Sequence, residues 1–223
     1  MTFPTGWDNS PFESKASEYD AWFDGAGKLI FASEVEALRI VLSSLPNPWL
    51  EIGVGTGRFA QALGIKTGID PAGKMLEIAK ERGISVFQIQ GEEQFFNKEI
   101  FGTVFLILTL CFVRFPMMIL HEANRILKLD GKIVIGTILK DSPWGMYYQR
   151  KKEEGHYFYE HATFYSYEEM HQLLKESGFT IERVISTLFQ KPGEVKEIEI
   201  PEEAYTADAG FNVIIAGKNS LLR

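Results

Sequence analysis

WLEIGVGTGRFAQALGIKTGID, residues 49–70 of the chain, places Gly53, Gly55 and Gly57 directly after a short apolar run. Asp70 ends a second apolar run, 17 residues beyond the first of these glycines. Glycine loses more backbone entropy on folding than any other residue, so this density indicates a tight turn or a close approach to the backbone. In an open α/β sheet, ligands bind beyond the carboxyl ends of the strands, where such a turn lies. The stretch therefore predicts a ligand-binding turn between a strand and a helix.

Apolar β-like runs alternate with helix-like stretches through most of the chain, which favours an α/β fold. The runs are apolar throughout, as in parallel strands that helices cover on both faces. The last two runs are joined without a helix, which predicts an antiparallel pair. We therefore predict a doubly wound, seven-stranded, mostly parallel sheet with an antiparallel last strand and N-terminal helices. The expected strands are residues 49–52, 65–69, 84–88, 103–110, 132–137, 180–189 and 211–216.

Local signals predict where several of these elements begin. Pro71 suits the first turn of the helix after the second strand. Asp130-Gly131 is typical of a turn and is expected to precede the fifth strand. Ser166 and Glu169 have the spacing of a capping box, which predicts a helix that begins between them.

The composition is that of a globular chain of ordinary polarity. Its 223 residues are 45% hydrophobic and 24% charged, which suits a single domain over residues 1–223. The net charge of −7 disfavours nucleic acid as a partner, because binding to it needs a basic face. The longest apolar run, residues 104–113, is far shorter than the roughly 20 residues that span a bilayer. With one cysteine, Cys111, and no signal-peptide pattern, we expect a cytoplasmic protein without a membrane span or an intrachain disulfide.

The spacing of the glycines separates three kinds of nucleotide site. A Walker loop needs a glycine, four residues and then Gly-Lys-Ser/Thr, which the stretch lacks. A dinucleotide fingerprint that starts at Gly53 would need its third glycine where Arg58 stands. A fingerprint that starts at Gly55 ends on Ala60, which fits the weaker Gly/Ala variant but leaves Gly53 unexplained. A third pattern, an acidic residue followed by three glycines at alternate positions, fits the whole stretch, with Glu51 followed by Gly53, Gly55 and Gly57.

Three segments resemble class I S-adenosylmethionine-dependent methyltransferases. LEIGVGTGRFA (50–60) resembles their first motif, GIDPAGKMLEIAKERG (68–83) their second strand and following helix, and HEANRILKLDGKIVIGTI (121–138) their fifth-strand region. The resemblance runs over residues 19–136, and within the family the sequence is similar to the small-molecule methyltransferases of the ubiquinone/menaquinone-biosynthesis type. It implies a Rossmann-like methyltransferase fold, S-adenosylmethionine as methyl donor and a small-molecule acceptor. Two other functions stay open: a non-catalytic S-adenosylmethionine-binding regulator or interaction module, and a nicotinamide-dependent oxidoreductase.

The resemblance also implies roles for individual residues in the cofactor site. Asp70, at the end of the second strand, can accept hydrogen bonds from both ribose hydroxyls. Glu51 would lie near the methionine ammonium group, and Met75 would pack against the adenine. An acidic residue after the third strand, Glu92 or Glu93, would stand near the adenine amine.

Other candidates lie around the methionine end of the expected cofactor. Leu108 and Thr109, at the end of the fourth strand, would lie along the methionine moiety. Arg58 would pair with the methionine carboxylate or be a surface cation, and Tyr19 would approach from the N-terminal helices. No catalytic residue and no metal ligand is assigned, because methyl transfer can rest on positioning alone. The candidate cofactor residues are thus Glu51, Gly53, Gly55, Gly57, Arg58, Asp70, Met75, Glu92, Glu93, Leu108, Thr109 and Tyr19.

An aromatic-rich segment follows the fifth expected strand. Residues 144–167 carry nine aromatic side chains, Trp144, Tyr147, Tyr148, Tyr157, Phe158, Tyr159, Phe164, Tyr165 and Tyr167. We hypothesise that residues 139–165 form an irregular insertion on the ligand side of the sheet, as part of the acceptor pocket or as a lid. Tyr19, Trp22 and Phe23 would close its other side, within an N-terminal helical cap of residues 1–45. The alternative is that these aromatic side chains pack on each other or on a partner chain.

The same segment contains two histidines, His156 and His161. Either is a candidate general base if the acceptor carries a proton that must leave early. Their five-residue spacing, without a nearby cysteine, is weak for zinc.

Overall fold

The computed structural model describes residues 10–219, which fold around one sheet of seven strands. The expectation about a leader segment concerns residues that lie mostly outside this range. Across the sheet the order is β3-β2-β1-β4-β5-β7-β6, so the winding reverses between β1 and β4. The strands are β1 Trp49–Ile52, β2 Thr67–Asp70, β3 Ser85–Gln88, β4 Phe101–Ile107, β5 Leu127–Thr137, β6 Phe179–Thr187 and β7 Phe211–Lys218.

The pairing of the strands confirms the predicted fold class. The five strands from β3 to β5 are mutually parallel, whereas β7 runs antiparallel to both β5 and β6. Every residue of β4 is buried, because this central strand is covered on both faces. The reversal of strand order beside β4 opens a crevice at the carboxyl ends of β1 and β4, the usual ligand position in such sheets.

Helices cover both faces of the sheet. The helices of the described residues are α1 Ser10–Ser14, α2 Ala16–Trp22, α3 Lys28–Leu42, α4 Arg58–Leu63, α5 Gly73–Glu81, α6 Pro116–Ile126, α7 Pro143–Glu153 and α8 Tyr167–Glu176. Apolar side chains of α3, α4 and α7 join the core on one face, and those of α6 and α8 join the core on the other. Within residues 10–219, none of these helices has the length and apolar character needed to cross a membrane.

The fourth strand is shorter than its apolar pattern predicts. β4 ends at Ile107, and the chain then turns through a short 3₁₀ helix, Leu110–Phe112. The cause is Leu108, whose backbone is left-handed with a φ of 52°. This conformation is costly for a residue with a Cβ, and hydrophobicity alone carries no signal for it. The turn removes Leu108 and Thr109 from the sheet and places them at its edge.

Two expectations about where elements begin were wrong, one for β5 and one for α5. Asp130-Gly131 is not a turn before the strand, because β5 already begins at Leu127. The pairing with β4 shifts between Phe101 and Thr103, so the extra residues form an irregularity inside the strand. Pro71 likewise precedes α5 rather than standing in its first turn, since Ala72 is the N-cap.

The segment of residues 139–165 is less irregular than predicted, because α7 occupies much of it. Ser142 caps this helix by accepting a hydrogen bond from the Gly145 amide at 3.0 Å, and Pro143 follows at the first helical position. These two start signals prevail although the aromatic side chains blur the apolar periodicity. The capping box predicted for α8 is confirmed, since Ser166 and Glu169 satisfy each other's backbone amides.

Candidate active site

The glycine-rich loop connects β1 to α4 at the carboxyl end of the sheet. The amides of Gly53 and Val54 both donate to the Ile69 carbonyl of β2, at 2.8 and 3.0 Å. This ties the loop to the neighbouring strand. Gly57 is the N-cap of α4 and has a left-handed backbone. The loop therefore holds its shape through β2, and Asp70 stands directly beside it.

All three glycines of the loop have left-handed backbones, but a Cβ added to each of them would have different surroundings. A Cβ on Gly53 would lie 2.5 Å from Thr109 Oγ1, so this glycine allows the β4 end to approach. A Cβ on Gly57 would press on Ala79 Cβ at 3.1 Å, so this glycine allows α4 to pack near α5. A Cβ on Gly55 would meet no atom of the described residues within 4 Å. Gly55 alone of the three therefore faces open space, as a backbone that receives a ligand must.

Asp70 is oriented across the loop by two backbone amides. Its Oδ2 accepts from Gly55 N at 3.0 Å, and its Oδ1 accepts from Ala72 N at 2.9 Å. Burial raises the pKa of Asp70 to about 6, although these two hydrogen bonds act in the opposite direction. Each carboxylate oxygen keeps a further lone pair. The side chain can therefore accept two more hydrogen bonds, as a ribose diol would donate.

Glu51 is a buried carboxyl at the base of the same loop. It is 1% exposed, and within the described residues its Oε2 has no hydrogen-bond partner. Burial, and after it the charge of Asp70, raise the pKa of Glu51 well above its ordinary value. A cationic group brought to this position would satisfy the orphaned oxygen and relieve the repulsion. The site therefore fits the ammonium group and the ribose of S-adenosylmethionine at two separate acids.

Leu108 and Thr109 form the wall opposite the glycine loop. The Thr109 hydroxyl lies within hydrogen-bond distance of two carbonyl acceptors, that of Ile52 at 3.1 Å and that of Ile107 at 3.0 Å. These contacts hold the end of β4 against Gly53. A strained residue that a structure over-determines in this way is a common feature of ligand sites, and Leu108 is such a residue.

The helix α2 is fastened over the loop by an ionic network. The Arg58 guanidinium donates to Asp20 Oδ1 at 2.9 Å and to Asp24 Oδ1 at 2.9 Å. Arg82 also pairs with Asp20, at 2.7 Å. The interpretation of Arg58 as a surface cation was wrong, because its side chain is only 15% exposed. Sequence reasoning missed the two aspartates, because their positions on α2 and in the turn after it gave no signal of this contact.

Tyr19, on the inner side of α2, lies between the cofactor acids and a neighbouring cavity. Burial raises its pKa, and the negative charges of Glu34, Asp70 and Glu51 add to the effect. The charges of Glu51 and Asp70 in the cofactor site and the charge of Glu34 therefore all act on the Tyr19 phenol.

The remaining cofactor candidates occupy distinct environments near α5 and β3. Met75 is buried in a small core with Ala16 and Ala72 beneath α1 and α2. Glu92 is half-buried and its pKa is raised by that burial. Glu93 is exposed and accepts from the Gln90 amide at 3.2 Å. Of the two glutamates, Glu92 thus has the environment of a binding residue.

A cavity of about 420 Å³ lies beside Leu108, between α2, α3 and α7. All three aromatic residues of the N-terminal segment singled out above, Tyr19, Trp22 and Phe23, line it. Six of the nine from the aromatic-rich segment also do so: Trp144, Tyr147, Tyr148, Phe158, Tyr159 and Phe164. The other three lie elsewhere; Tyr167, for example, stacks on Tyr205 at 4.2 Å. Among the lining residues that sequence reasoning missed is Glu34, although a charge between Phe31 and Leu38 on an apolar helix stripe was a signal for it.

The two histidines of the aromatic-rich segment differ in position. His156 lines the cavity, and burial lowers its pKa. Its Nδ1 accepts a long hydrogen bond from the Phe158 amide at 3.4 Å. His161 is exposed and is not among the lining residues. Within the described residues, no group of three or more acidic, histidine or cysteine side chains could hold a metal ion.

The fold and the loop chemistry together define a class I S-adenosylmethionine-dependent methyltransferase. A family model described as a methyltransferase domain matches residues 31–184. The match covers well over half of the chain, and the chain belongs to this family. S-adenosylmethionine is accordingly its methyl donor.

The chain is also similar to one solved methyltransferase structure and to curated proteins from two further organisms. The chain is 38% identical to a Thermotoga maritima structure described as a SAM-dependent methyltransferase, "possible histamine N-methyltransferase", with a TM-score of 0.87. The alignment covers 96% of this chain and 99% of that one. A Methanocaldococcus jannaschii protein is 40% identical over 93% of this chain and 98% of its own length. A Mycobacterium tuberculosis protein is 41% identical over 90% of this chain and 71% of its own length.

Proposed function

We propose that the protein transfers the methyl group of S-adenosylmethionine, by in-line displacement, to a small molecule bound in the aromatic cavity. The observation that carries this proposal is the shared wall. Leu108 lines the cavity and is followed by Thr109, which packs on the glycine loop. Tyr19 also belongs to both regions. An acceptor in the cavity would thus lie beside the methionine end of the cofactor site.

The cofactor contacts proposed for this chain follow the environments of its acids. Asp70 binds the ribose hydroxyls, Glu51 the methionine ammonium group, and Glu92 the adenine amine. Gly55 provides the open backbone surface on which the cofactor lies. Arg58 acts as a positioning residue, because it holds α2, and with it Tyr19, over the loop.

The reaction demands little acid–base chemistry from the protein. When bound, S-adenosylmethionine supplies a methyl group on a positively charged sulfonium. Transfer breaks the sulfur–carbon bond, forms the bond to the acceptor atom and disperses the positive charge. The aromatic walls exclude water and can attract positive charge through their faces. Holding the acceptor in line with the methyl group can account for about 7–11 kcal/mol of the barrier.

The size of the cavity and one relative support a small acceptor. A volume of about 420 Å³ lies at the lower end of the range of small-molecule pockets. The description of the Thermotoga maritima protein names histamine, a compact aromatic amine. A nicotinamide-dependent reaction is disfavoured, because Arg58 stands where a dinucleotide loop has glycine.

The experiment compares methyl transfer with cofactor binding in a cavity-filling variant. Ile30→Trp would fill the cavity from α3, whereas Ile40→Trp adds the same bulk at an exposed position of the same helix. Both variants are given labelled S-adenosylmethionine and a mixed extract of small metabolites. We expect Ile30→Trp to lose methyl transfer and to keep its affinity for S-adenosylhomocysteine, and Ile40→Trp to keep both.

Other results would identify a different function. Unchanged methyl transfer by Ile30→Trp would place the acceptor site outside the cavity. Tight binding of S-adenosylhomocysteine with no transfer to any molecule by the wild type would favour the non-catalytic binding module. Calorimetry with NAD completes the comparison, since NAD binding without adenosyl binding would favour the oxidoreductase.

A further inference from the structure

Glu34 is a buried acid on the wall of the aromatic cavity. It lies on α3, is 2% exposed and belongs to the cavity lining. Its Oε2 has no hydrogen-bond partner among residues 10–219. Leaving a carboxyl group unpaired away from water costs free energy, and more so if the group is charged. The proteins that retain such a group commonly use it, and the position on the wall gives it access to a ligand.

The protein supplies no cation that could neutralise Glu34 within the described part of the cavity. Three of the lining residues carry a carboxyl or an amino group: Glu18, Glu34 and Lys151. Glu18 is 70% exposed and pairs with Lys15 at 2.9 Å. Lys151 is 35% exposed and lies 3.6 Å from Glu154. Both are therefore at the mouth, engaged with other charges, while Glu34 is the buried one of the three.

The walls around Glu34 are suited to a cationic ligand. Tyr148 and Tyr159 lie with ring centroids 4.7 Å apart, and both feel the charge of Glu34. Tyr19 does so as well, from the opposite wall. Aromatic faces attract cations, and more strongly where water is excluded. A carboxylate among such rings recognises a positively charged nitrogen.

We propose that the methyl acceptor is an amine, and that the Glu34 carboxylate binds its ammonium group inside the aromatic cavity. Before transfer, the ammonium group gives one proton to the Glu34 carboxylate, and the lone pair this leaves on nitrogen forms the bond to the methyl carbon as the sulfur–carbon bond breaks. This inference rests on the proposed function, because it takes the cavity to be the acceptor site. Glu34 is then the residue that selects amines over neutral molecules of the same shape. The amine supplies the missing partner of Glu34, and the cavity supplies the apolar contacts for the rest of the molecule.

The ionisation of Glu34 gives the proposal a pH signature. Burial raises its pKa to about 8, so the carboxyl group is protonated in the empty cavity at neutral pH. Binding of an ammonium group to the carboxylate must then release one proton, which favours binding as the pH rises towards 8. The other titratable groups facing the cavity are Tyr19 and Glu18 from α2, Tyr147, Tyr148 and Lys151 from α7, Tyr159 and His156 after α7, and Cys111 after β4. Burial raises the pKa of Cys111 to about 12, raises the pKa values of Tyr19, Tyr148 and Tyr159, and lowers the pKa of His156.

The test uses pairs of molecules that differ only in charge. 2-Phenylethylamine is compared with 2-phenylethanol, and tyramine with its alcohol, by calorimetry on the protein saturated with S-adenosylhomocysteine. Each pair is measured on the wild type, on Glu34→Gln, and on Glu36→Gln as a matched control. Glu36 lies on the same helix, with its side chain 46% exposed and paired with Arg39.

We expect the wild type and Glu36→Gln to bind each amine about tenfold or more tightly than its alcohol, the gain of a charge-assisted contact. Glu34→Gln should lose this preference while it keeps its affinity for S-adenosylhomocysteine, which shows that it is folded. The amine affinity of the wild type should rise by roughly tenfold between pH 6 and pH 7.5, and that of Glu34→Gln should not.

Three results would overturn the proposal: no amine binds, the alcohols bind as well as the amines, or the preference survives in Glu34→Gln. The failure of the proposed function would look different. In that case Ile30→Trp would leave methyl transfer unchanged, or S-adenosylhomocysteine would bind without any transfer, whatever the preference between amines and alcohols.

Discussion

Alanine at Gly53 and at Gly55 should have opposite consequences, although the two positions are two residues apart. Both backbones are left-handed, so each alanine costs about 1 kcal/mol of conformational energy. At Gly53 the new Cβ would also lie 2.5 Å from Thr109 Oγ1, and such overpacking adds about 1–3 kcal/mol. Gly53→Ala should therefore lose about 2–4 kcal/mol of stability and melt roughly 5–15 °C lower. Gly55→Ala should lose only about 1 kcal/mol, because nothing lies within 4 Å of its Cβ.

Cofactor affinity should separate the same two variants in the reverse sense. A methyl group on Gly55 would project into the space proposed for the cofactor, so Gly55→Ala should weaken S-adenosylhomocysteine binding by about tenfold or more. Urea unfolding and calorimetry on the two variants measure both quantities.

A second substitution checks the cause of the destabilisation. Thr109→Ala removes the hydroxyl and methyl groups that a Cβ on Gly53 would meet, at a cost of about 1 kcal/mol for the lost hydrogen bond. The double variant Gly53→Ala/Thr109→Ala should then be about 1–2 kcal/mol more stable than the sum of the single effects predicts. Additive effects, or equal destabilisation by the two glycine substitutions, would refute the assignment of Gly53 to packing and of Gly55 to binding.

Three further outcomes follow from the charged groups. Asp70→Ala should weaken S-adenosylhomocysteine binding by about tenfold or more; in the wild type, affinity should fall below pH 6, because protonation of Asp70, with its pKa of about 6, removes acceptors for the ribose. Calorimetry from pH 5 to 8 measures both, and a flat profile would contradict the role. The pKa of Glu34 is about 8 in the folded state, against an ordinary value of 4.5. Between pH 4.5 and pH 8 the folded state therefore holds one more proton than the unfolded state, and the free energy of unfolding falls by about 1.4 kcal/mol for each unit by which the pH rises. Urea unfolding should show this slope in the wild type minus Glu34→Gln, and equal slopes would count against a buried acid. Arg58→Gln should cost about 1–3 kcal/mol, since Asp20 keeps only Arg82; unchanged urea stability would mean that the network contributes nothing.

The parts of the fold that were predicted correctly rest on local signals. Apolar runs bounded by turn residues gave the strands, and Ser166 with Glu169 gave the start of α8. The errors arose where a distant contact prevailed over the local pattern. The apolar run of β4 continues past the point where Leu108 turns out of the sheet. The Asp130-Gly131 pair is absorbed into β5, because the pairing with β4 extends to Leu127.

The candidate site divides in the same way. The spacing of Glu51, the glycines and Asp70 is local, and it pointed to a cofactor loop without any structure. The choice between Glu92 and Glu93 needed their burial. The partners of Arg58 could be identified only from the position of α2 in the fold, because α2 lies some forty residues earlier in the chain.

By itself the sequence determined the fold class and the methyl donor, because a strand, a glycine-rich turn and an acid at the next strand end are encoded by neighbours in the chain. Only the tertiary structure separated the packing position of the loop from the one proposed for binding, because Thr109 contacts Gly53 whereas no described residue lies within 4 Å of a Cβ on Gly55. It alone also showed that, among residues 10–219, Glu34 Oε2 has no hydrogen-bond partner although it lies among aromatic rings. Whether a buried charge has a partner depends on side chains from every surrounding element, and no short stretch of sequence contains them.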